Sequence, residues 1–531
     1  MCPSETQELN PKPLKNSDNE SKQPLSLATS EDQENAKEED PSNKKWQKMM
    51  NLSSFTSFIV EPFEWLQKLS ARLESTFILG VVLVYGLSQG FSGSFFKVIS
   101  DYYWKDVQKV QPSAVQLFIG LYSIPWVMKP IWGLLTDVFP VKGYKRRPYF
   151  VLAGVIGTIS ALFLALSGKL AIALALGFLI GITTGVAIAD VTIDACIARK
   201  SIEIRSLAPD MQSLCGVCSS VGALIGYSSS GFFVHHLGAQ GSLGLLAVPP
   251  AALIALGFVI SESKTVDDIQ CEKKKAIENL GTAVKGMYKT IKCPDVWKPS
   301  LYMYLSLALS ISTHEGQFYW YTDPKAGPAF SQEFVGIIYA IGALASIVGV
   351  LIYQKTLKDY PFRSLLFFAQ LLYAVSGMLD LVFILRWNLA LGIPDYFFVI
   401  MEECVSRIIS RIRWMPMMVL SSRLCPLGIE GTFFALLMCI DSLGSLTSKL
   451  AGGMVLHVFQ VTRTNFKNLW LTLLIRNLLR FGTLALIFLV PNADHSSLTV
   501  PSDTLTNSTK NGDSRDDDHL QLVPLNEKLE V

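Results

Sequence analysis

Long apolar runs alternate with short polar segments between residues 77 and 490, whereas both ends of the chain are polar. About twelve of these runs approach the ~20 residues that a helix needs to cross a hydrocarbon core about 30 Å thick. The pattern therefore predicts an all-α membrane protein with about twelve transmembrane helices. The predicted spans are 77–99, 114–135, 148–167, 170–194, 211–234, 241–260, 299–321, 333–354, 362–386, 393–421, 431–457 and 468–490.

The composition is typical of a membrane protein, and the sequence contains no recognisable motif for enzyme activity or metal binding. Half of the residues are hydrophobic and 17% are charged, and the mean hydropathy is +0.35. Soluble domains carry about 25% charged residues. No phosphate-binding loop, metal-ligand cluster or catalytic nucleophile stands out. We therefore expect no enzyme activity, no cofactor, no metal and no nucleic-acid partner, and a lipid bilayer as the surroundings.

The spacing of the apolar runs divides the chain into five parts. Residues 1–50 and 491–531 are too polar to bury a core and are predicted to be disordered tails. Residues 51–260 and 299–490 are predicted to be two six-helix halves, joined by a basic polar loop over 261–298. Six helices, a loop and six helices is the outline of carriers whose two halves enclose a central site.

Basic residues fall mainly in alternate loops, which predicts how the helices cross the membrane. The basic loops contain residues 142–147, 199–205, 264–298 and 355–363, whereas the loops on the opposite side hold few cations. By the positive-inside rule, the basic loops and both termini lie in the cytosol. No signal or transit peptide is recognisable, which favours the plasma membrane or an endomembrane over a plastid envelope.

Two carboxylates near the end of the fourth span are candidate substrate ligands. Asp190 and Asp194 are four residues apart, so they share one helix face. Ionisable groups at membrane depth usually face a wet cavity or a charged partner. They either bind substrate, Asp190 being the deeper, or pair with Arg199 or the cations at 145–147 to close a gate. Gln89 in the first span is a further candidate for a hydrogen bond to substrate.

The tenth span carries charges too close to its middle to lie outside the bilayer. Glu403, Arg407 and Arg411 recur at four-residue spacing on one face, and Arg413 lies elsewhere around the helix. Guanidinium groups bind carboxylates in a bidentate manner, so Arg407 and Arg411 are candidates for an anionic substrate. Alternatively, Arg407 pairs with Glu403 within the helix, and Arg411 pairs with an Asp of the other half.

In the seventh span, His314 and Glu315 are candidates for proton coupling. A histidine beside a carboxylate in a membrane cavity suits a proton relay. The alternatives are a hydrogen-bonded packing residue or an exposed position at the mouth of the cavity.

Several sequence blocks together resemble one family. Residues 126–149, WVMKPIWGLLTDVFPVKGYKRRPY, place Gly133 and Asp137 before a basic loop, as in the linker between helices 2 and 3 of major facilitator carriers. The blocks YGLSQGFSGSFFKVISDYYWKD (85–106), ADVTIDA (189–195), MQSLCGVCSSVGALIGYSSSG (211–231) and WMPMMVLSSRLCPLGIEGTFFALLM (414–438) occur in the same order as in the folate–biopterin transporters, especially the plant and cyanobacterial type.

The resemblance implies a carrier of folates and related pterins, working as a monomer by alternating access with proton coupling or exchange. It marks family-like charged positions, of which five imply a gate: Lys129, Asp137, Arg146, Arg147 and Glu430. In that interpretation, Asp137 and the basic loop close the cytosolic side of the outward-facing state. Two alternatives stay open: a carrier of another organic anion, which the arginines of the tenth span also suit, and a transport-incompetent membrane sensor or scaffold.

Overall fold

A computed structural model describes residues 67, 69, 72–204, 208–262, 292–357, 360–423 and 430–490. The predicted tails at 1–50 and 491–531, and most of the predicted loop at 261–298, lie outside the described residues.

The described residues form helices that follow the predicted spans. The first half contains α1 (Ser75–Val107), α2 (Pro112–Leu121, Ile124–Val127 and Lys129–Val138), α3 (Arg147–Leu166), α4 (Ile172–Glu203), α5 (Ala208–Leu245) and α6 (Val248–Val259). The second half contains α7 (Pro294–Ala308 and His314–Tyr321), α8 (Gln332–Ile352, continuing over Tyr353–Leu357), α9 (Phe362–Ile384), α10 (Asp395–Arg423), α11 (Glu430–Val458) and α12 (Leu469–Gly482, continuing over Thr483–Leu489). A short helix, Trp387–Ala390, lies between α9 and α10.

Eight helical stretches within the described ranges are long and apolar enough to cross a membrane by length and composition. One of them, Ser213–Val259, contains two predicted spans. They are separated at Gly238, whose φ of 71° breaks the helix. Three further predicted spans correspond to α7, α10 and α11. α7 is interrupted between Ala308 and His314, and the other two carry charged residues.

The helices pack into two groups that meet along two seams. In the first half, α1 packs against α5, and α3 packs against α4 and α6; in the second, α10 packs against α8 and α9, and α7 against α11. The halves meet where α5 contacts α8 and where α2 contacts α11. Glycines permit close approach in these contacts: a Cβ at Gly222 of α5 would overlap the carbonyl oxygen of Gly86, and one at Gly231 would overlap that of Gln332.

At one end of the bundle, polar contacts join the two halves; we call this end the bridged face. The Lys105 ammonium donates to the Thr322 hydroxyl (Nζ to Oγ1, 2.5 Å), and Arg463 donates to the Lys105 carbonyl oxygen (2.6 Å). The Tyr319 hydroxyl donates to the carbonyl oxygen of Val110 (3.0 Å). These residues belong to the connections, or adjoining helix ends, between α1 and α2, between α7 and α8, and between α11 and α12. All three connections contain few cations, and they lie at the same end of the bundle.

Candidate functional site

A cavity of about 540 Å³ lies between the two halves. Its walls come from α1, α2 and α4 of the first half and from α7, α9, α10, α11 and α12 of the second. The side of the first half supplies the aromatic rings of Phe96, Tyr122 and Trp126. The interrupted part of α7 supplies Ser310 and Ser312, where the helix gives way to hydrogen bonds with α11: the Ser312 amide donates to the Ser448 carbonyl (3.2 Å).

The lining of the cavity is rich in positive charge. Five cationic side chains line it, against two carboxylates, Asp101 and Glu403. The cations are Lys97, Arg407, Lys449, Arg476 and Arg480. An anion entering this space therefore meets a surplus of positive charge that lies partly out of water, where electrostatic attraction is stronger.

Two cations that line the cavity are held by neutral groups. Lys449 donates to the Ser123 hydroxyl (2.8 Å), and the Lys97 ammonium lies 4.4 Å from the centroid of the Tyr339 ring. Neither forms an ion pair with a carboxylate of the described residues. Their charge is therefore available to a ligand.

Arg413, Arg476 and Arg480, together with Asp380, form what we call the arginine cluster. Arg413 and Arg480 both stack on Tyr373, with their guanidinium carbons 4.3 and 4.2 Å from the ring centroid. Both side chains are buried, and the Nε atom of each makes no hydrogen bond within the described residues. Arg413 also donates to the Gln370 side chain (3.0 Å).

Arg476 is the member of the arginine cluster with an ionic partner. It pairs with Asp380 and donates to Thr313 and Gln317, at 3.2 Å each. Gln317 in turn donates to the second oxygen of Asp380 (2.7 Å). Arg476 is thus fixed in place by α7 and α9, whereas Arg480 contacts no carboxylate directly among the described residues. Among the described residues, only Arg476 of the three arginines pairs directly with a carboxylate, so Arg413 and Arg480 keep charges that no ion pair neutralises.

The proton-coupling candidates lie against a residue that sequence reasoning missed. The His314 imidazole Nε2 lies 3.1 Å from Oδ2 of Asp101 on α1 and 3.9 Å from Oε1 of Glu315. His314 and Asp101 line the cavity. Glu315 is fully buried, and neither of its carboxyl oxygens makes a hydrogen bond within the described residues. The structure therefore brings His314 and Glu315 together with a carboxylate of the other half.

Gln89, Lys129 and Asp190 form a compact group that we call the Asp190 cluster. One Asp190 oxygen lies 2.5 Å from the Lys129 ammonium, and the other accepts a hydrogen bond from Gln89 (3.0 Å). Asp190 is buried and Asp194 is exposed. The ionic partner that the structure gives Asp190 is Lys129 rather than Arg199 or the 145–147 loop. Asp194 accepts a hydrogen bond from Tyr85.

The Asp190 cluster lies about one helical turn away from the cavity lining. Lys129 follows the lining residue Trp126 by three positions, and Asp190 follows Val186 by four. Of the predicted substrate ligands, Arg407 lines the cavity, whereas Gln89, Asp190, Asp194 and Arg411 are not among the lining residues.

On α10, Glu403 and Arg407 form the in-helix pair that the sequence offered as an alternative, with Nε 2.6 Å from Oε1. Both line the cavity. The exposed Arg411 stacks near Trp414, 5.3 Å from its ring centroid. Of the three charged residues at four-residue spacing, Glu403 and Arg407 therefore lie at the cavity and Arg411 does not.

The predicted gate is described only in part. Arg146 donates to Thr136 (2.7 Å), and Arg147 donates to the Ile260 carbonyl oxygen (2.6 and 2.8 Å). Glu262 accepts from the backbone amides of residues 145, 146 and 147 and so caps the start of α3. The side chains of Asp137 and Glu430 lie outside the described part of the structure.

Sequence reasoning missed most of the cavity cations. Lys449, Arg476 and Arg480 occur inside predicted apolar spans, as Arg407 does, and Arg476 and Arg480 are four residues apart. Charge at membrane depth is as costly at these positions as at Arg407. The sequence therefore marks them as unusual, but only the packing of the helices shows that their side chains line the same cavity.

The chain matches the BT1 family over residues 89–508. It is 67% identical to probable folate-biopterin transporter 6 of Arabidopsis thaliana over 453 residues, which are 85% of this chain and 90% of that protein. It is 30% identical to the folate-biopterin transporter of Synechocystis sp. over 465 residues, which are 86% of this chain and 87% of that protein.

Solved structures of low sequence identity share the fold. The nucleoside transporter NupG superposes with a TM-score of 0.58 at 13% identity, covering 77% of this chain and 98% of NupG. The D-xylose-proton symporter superposes with a TM-score of 0.56 at 14% identity, covering 80% of this chain and 98% of the symporter. The chain is an integral, multi-pass, all-helical protein with a major facilitator fold, so the predicted fold class is confirmed.

Proposed function

Because the chain belongs to the BT1 family of folate–biopterin transporters, we propose that it carries folates and related pterins across a membrane by alternating access. The observation that carries this proposal is the cavity between the two halves, with its surplus of cationic side chains. A cavity of about 540 Å³ falls within the ~300–1,000 Å³ of sites for small organic ligands.

The charge of the cavity suits the glutamate carboxylates of a folate. Arg480, Lys97 and Lys449 face the cavity without an ion-pairing carboxylate among the described residues, so an anionic ligand would supply the missing negative charge. Arg480 is the strongest of the three candidates, because a guanidinium presents a planar pair of donors to a carboxylate. Its stacking on Tyr373 holds the group in place before substrate arrives.

The aromatic side chains of the first half suit the flat rings of a pterin. Phe96, Tyr122 and Trp126 line the cavity, and aromatic faces stack on heteroaromatic rings. We place the ring system near these side chains and the anionic tail toward α12. Arg407 contributes positive charge to the same space while Glu403 fixes its position.

The predicted ligands that lie off the cavity fit a gate better than a binding site. Both oxygens of Asp190 already have partners in Lys129 and Gln89, and a pterin would need to displace one of them. We propose that the Asp190 cluster, with Arg146 and Arg147 beyond it, joins α1, α2 and α4 at the end of the bundle opposite the bridged face.

The positions of the loops support the predicted orientation. The 145–147 loop contacts Glu262, which follows α6, so this basic loop and the end of α6 lie at one end, whereas Lys105, Thr322 and Arg463 meet at the bridged face. We therefore propose that the bridged face is directed away from the cytosol and that both termini are cytosolic.

The experiment that tests this function is uptake of labelled folate by cells that lack their own carrier, with surface expression checked. Saturable uptake by the full chain, reduced in Arg480→Gln and retained in Arg411→Gln, is the expected result. Arg411 is the matched control because it is an arginine of the second half that does not line the cavity.

Competition distinguishes the alternatives. Unlabelled folate and biopterin should compete with labelled folate, whereas simple dicarboxylates should not. Uptake of a labelled dicarboxylate without uptake of labelled folate would indicate a carrier of another organic anion. A well-expressed protein that transports none of these anions would favour a sensor or scaffold.

A further inference from the structure

Asp101 and Glu315 lie too close together in the protein interior for both to remain ionised without compensation. One ligating atom from each of Asp101, His314 and Glu315 lies within 4.8 Å of the other two. Asp101 and Glu315 are both at most 1% exposed. The His314 imidazole lies within hydrogen-bond distance of Oδ2 of Asp101, whereas no donor among the described residues reaches Oδ1 of Asp101 or either carboxyl oxygen of Glu315.

We infer that Asp101, His314 and Glu315 form a proton-binding site shared by the two halves, in which one bound proton holds the bridged face closed. The inference rests on the proposed transport function. Two carboxyl groups that share a dry site keep one proton between them, because a second negative charge there has no solvent to stabilise it. The unpartnered oxygens of Glu315 and Asp101 are the acceptors that such a proton would join.

The site spans the boundary between the halves. Asp101 lies on α1 of the first half, whereas His314 and Glu315 begin the second piece of α7. Next to them, Gln116 of α2 accepts a hydrogen bond from the Glu315 amide (3.0 Å) and donates to Ser312 (3.3 Å). Separation of the halves at the bridged face would therefore pull the two carboxyl groups apart.

The surroundings contain charge of both signs. Lys97 acts electrostatically on Glu315, and the Tyr339 hydroxyl lies 3.4 Å from His314 Nε2. Among the described residues, the further charged or titratable groups near the site and its neighbours include Tyr102, Asp106, Tyr122, Tyr319, Glu403, Arg407, Lys449 and Arg463. Lys97 forms no ion pair with either carboxylate among the described residues, so it does not replace the shared proton.

A proton suits this site better than a metal ion. Three side chains are grouped there within the described residues, each offering a ligating atom. Calcium and magnesium take about six or more oxygen ligands, and zinc held by three side chains needs a water molecule to complete its shell, for which this buried site has little room. The nearby lysine also opposes a further divalent charge. A proton needs no coordination shell.

The positions of these side chains indicate how the proton leaves the site and how its loss affects the two halves. His314 contacts both carboxyl groups and lines the cavity, so one proton passes from the pair to cavity water by way of its imidazole, with no electron transferred. Loss of the proton leaves two adjacent carboxylates on opposite halves. Their repulsion favours opening of the bridged face, where each carboxylate regains water and takes up the next proton.

Reconstituted full-length protein tests the inference with the membrane potential held at zero. A pH difference of one unit is worth about 1.4 kcal/mol per proton, so a carrier coupled to one proton accumulates folate about tenfold. Glu315→Gln and Asp101→Asn should lose this accumulation, because neither variant can cycle between the protonated and the doubly ionised pair. Glu333→Gln, which alters a half-exposed carboxylate at the start of α8, should behave as wild type.

Thermal unfolding of the purified protein against pH gives a second readout that needs no substrate. Acid should raise the melting temperature of the wild type, and Glu315→Gln, which mimics the protonated acid, should be less sensitive to pH. Wild-type accumulation by both site variants, or an unchanged pH dependence of their unfolding, would overturn the inference. So would stabilisation of the wild type, but not of Glu315→Gln, by added Zn²⁺ or Ca²⁺.

The same experiments distinguish failure of the inference from failure of the proposed function. If the wild type exchanges no folate but Glu315→Gln still removes the pH dependence of unfolding, the assignment of the proton site is supported and folate is not the substrate. If the wild type exchanges folate but does not accumulate it in response to the pH gradient, or if both variants accumulate folate as the wild type does, folate is a substrate and the assignment of the proton site is wrong.

Discussion

The Asp190 cluster and the arginine cluster bury charge in opposite ways. In the Asp190 cluster, the carboxylate has one ammonium group at 2.5 Å and one amide donor. Its negative charge is therefore neutralised by a side chain of the protein itself. In the arginine cluster, Arg476 pairs with Asp380, whereas Arg413 and Arg480 stack on the ring of Tyr373 and form no ion pair among the described residues. A compensated cluster stabilises the packing of helices, whereas an uncompensated one at a cavity is suited to an anionic ligand.

Removing the cation of the Asp190 cluster should have the largest effect on stability. Lys129→Ala leaves Asp190 buried without its ionic partner, which should reduce the free energy of unfolding by about 3–5 kcal/mol. Denaturant unfolding of the purified protein measures the loss. The double variant Lys129→Ala with Asp190→Asn should recover much of it, since it removes the stranded charge. No recovery would show that Lys129 stabilises the fold by packing alone.

The corresponding change in the arginine cluster should affect binding rather than stability. Arg480→Gln removes a cation that has no ion-pairing carboxylate among the described residues, so the free energy of unfolding should change little. Folate affinity should fall about 10- to 100-fold, as expected for loss of a hydrogen bond to a charged group. Equilibrium binding of folate and of uncharged biopterin measures the effect.

Arg480→Lys is the control, since it keeps the charge and loses the planar donor pair, and its affinity should be intermediate. An equal loss of affinity for biopterin would contradict the assignment of Arg480 to the anionic tail of the substrate.

The neutral donor of the Asp190 cluster should matter less than its cation. Gln89→Leu removes the hydrogen bond to Asp190 but leaves the Lys129 ion pair, so the expected loss of unfolding free energy is about 1.5 kcal/mol. Denaturant unfolding compares this variant with Lys129→Ala. A loss as large as that of Lys129→Ala would mean that the hydrogen bond, rather than the ion pair, compensates Asp190.

The smallest effect is expected at the ring between two arginines. Tyr373→Phe keeps the aromatic face and should bind folate nearly as wild type. Tyr373→Leu loses the cation–π contacts with Arg413 and Arg480, worth about 0.5–2 kcal/mol each, and should weaken folate binding several-fold. Equal affinities for the two variants would show that the ring does not orient Arg480.

Part of the candidate site was predictable because charge inside an apolar helix is unusual. Arg407, His314 and Glu315 were identified in this way, and the in-helix pair of Glu403 with Arg407 followed from four-residue spacing. Lys449, Arg476 and Arg480 are also charged residues inside apolar helices, although they were not among the predicted site residues. The pairing of Asp190 with Lys129, and of His314 with Asp101, joins residues 61 and 213 positions apart, and no local pattern encodes such contacts.

The sequence by itself determined that this protein is an all-helical membrane protein, because runs of about 20 apolar residues have few other stable environments. Its ordered motifs also determined the family. Only the tertiary structure decided which charges neutralise one another and which face the cavity. The physical reason is that a charged side chain in a membrane helix must find water, a partner or a ligand, and the choice depends on what the neighbouring helices bring within about 4 Å.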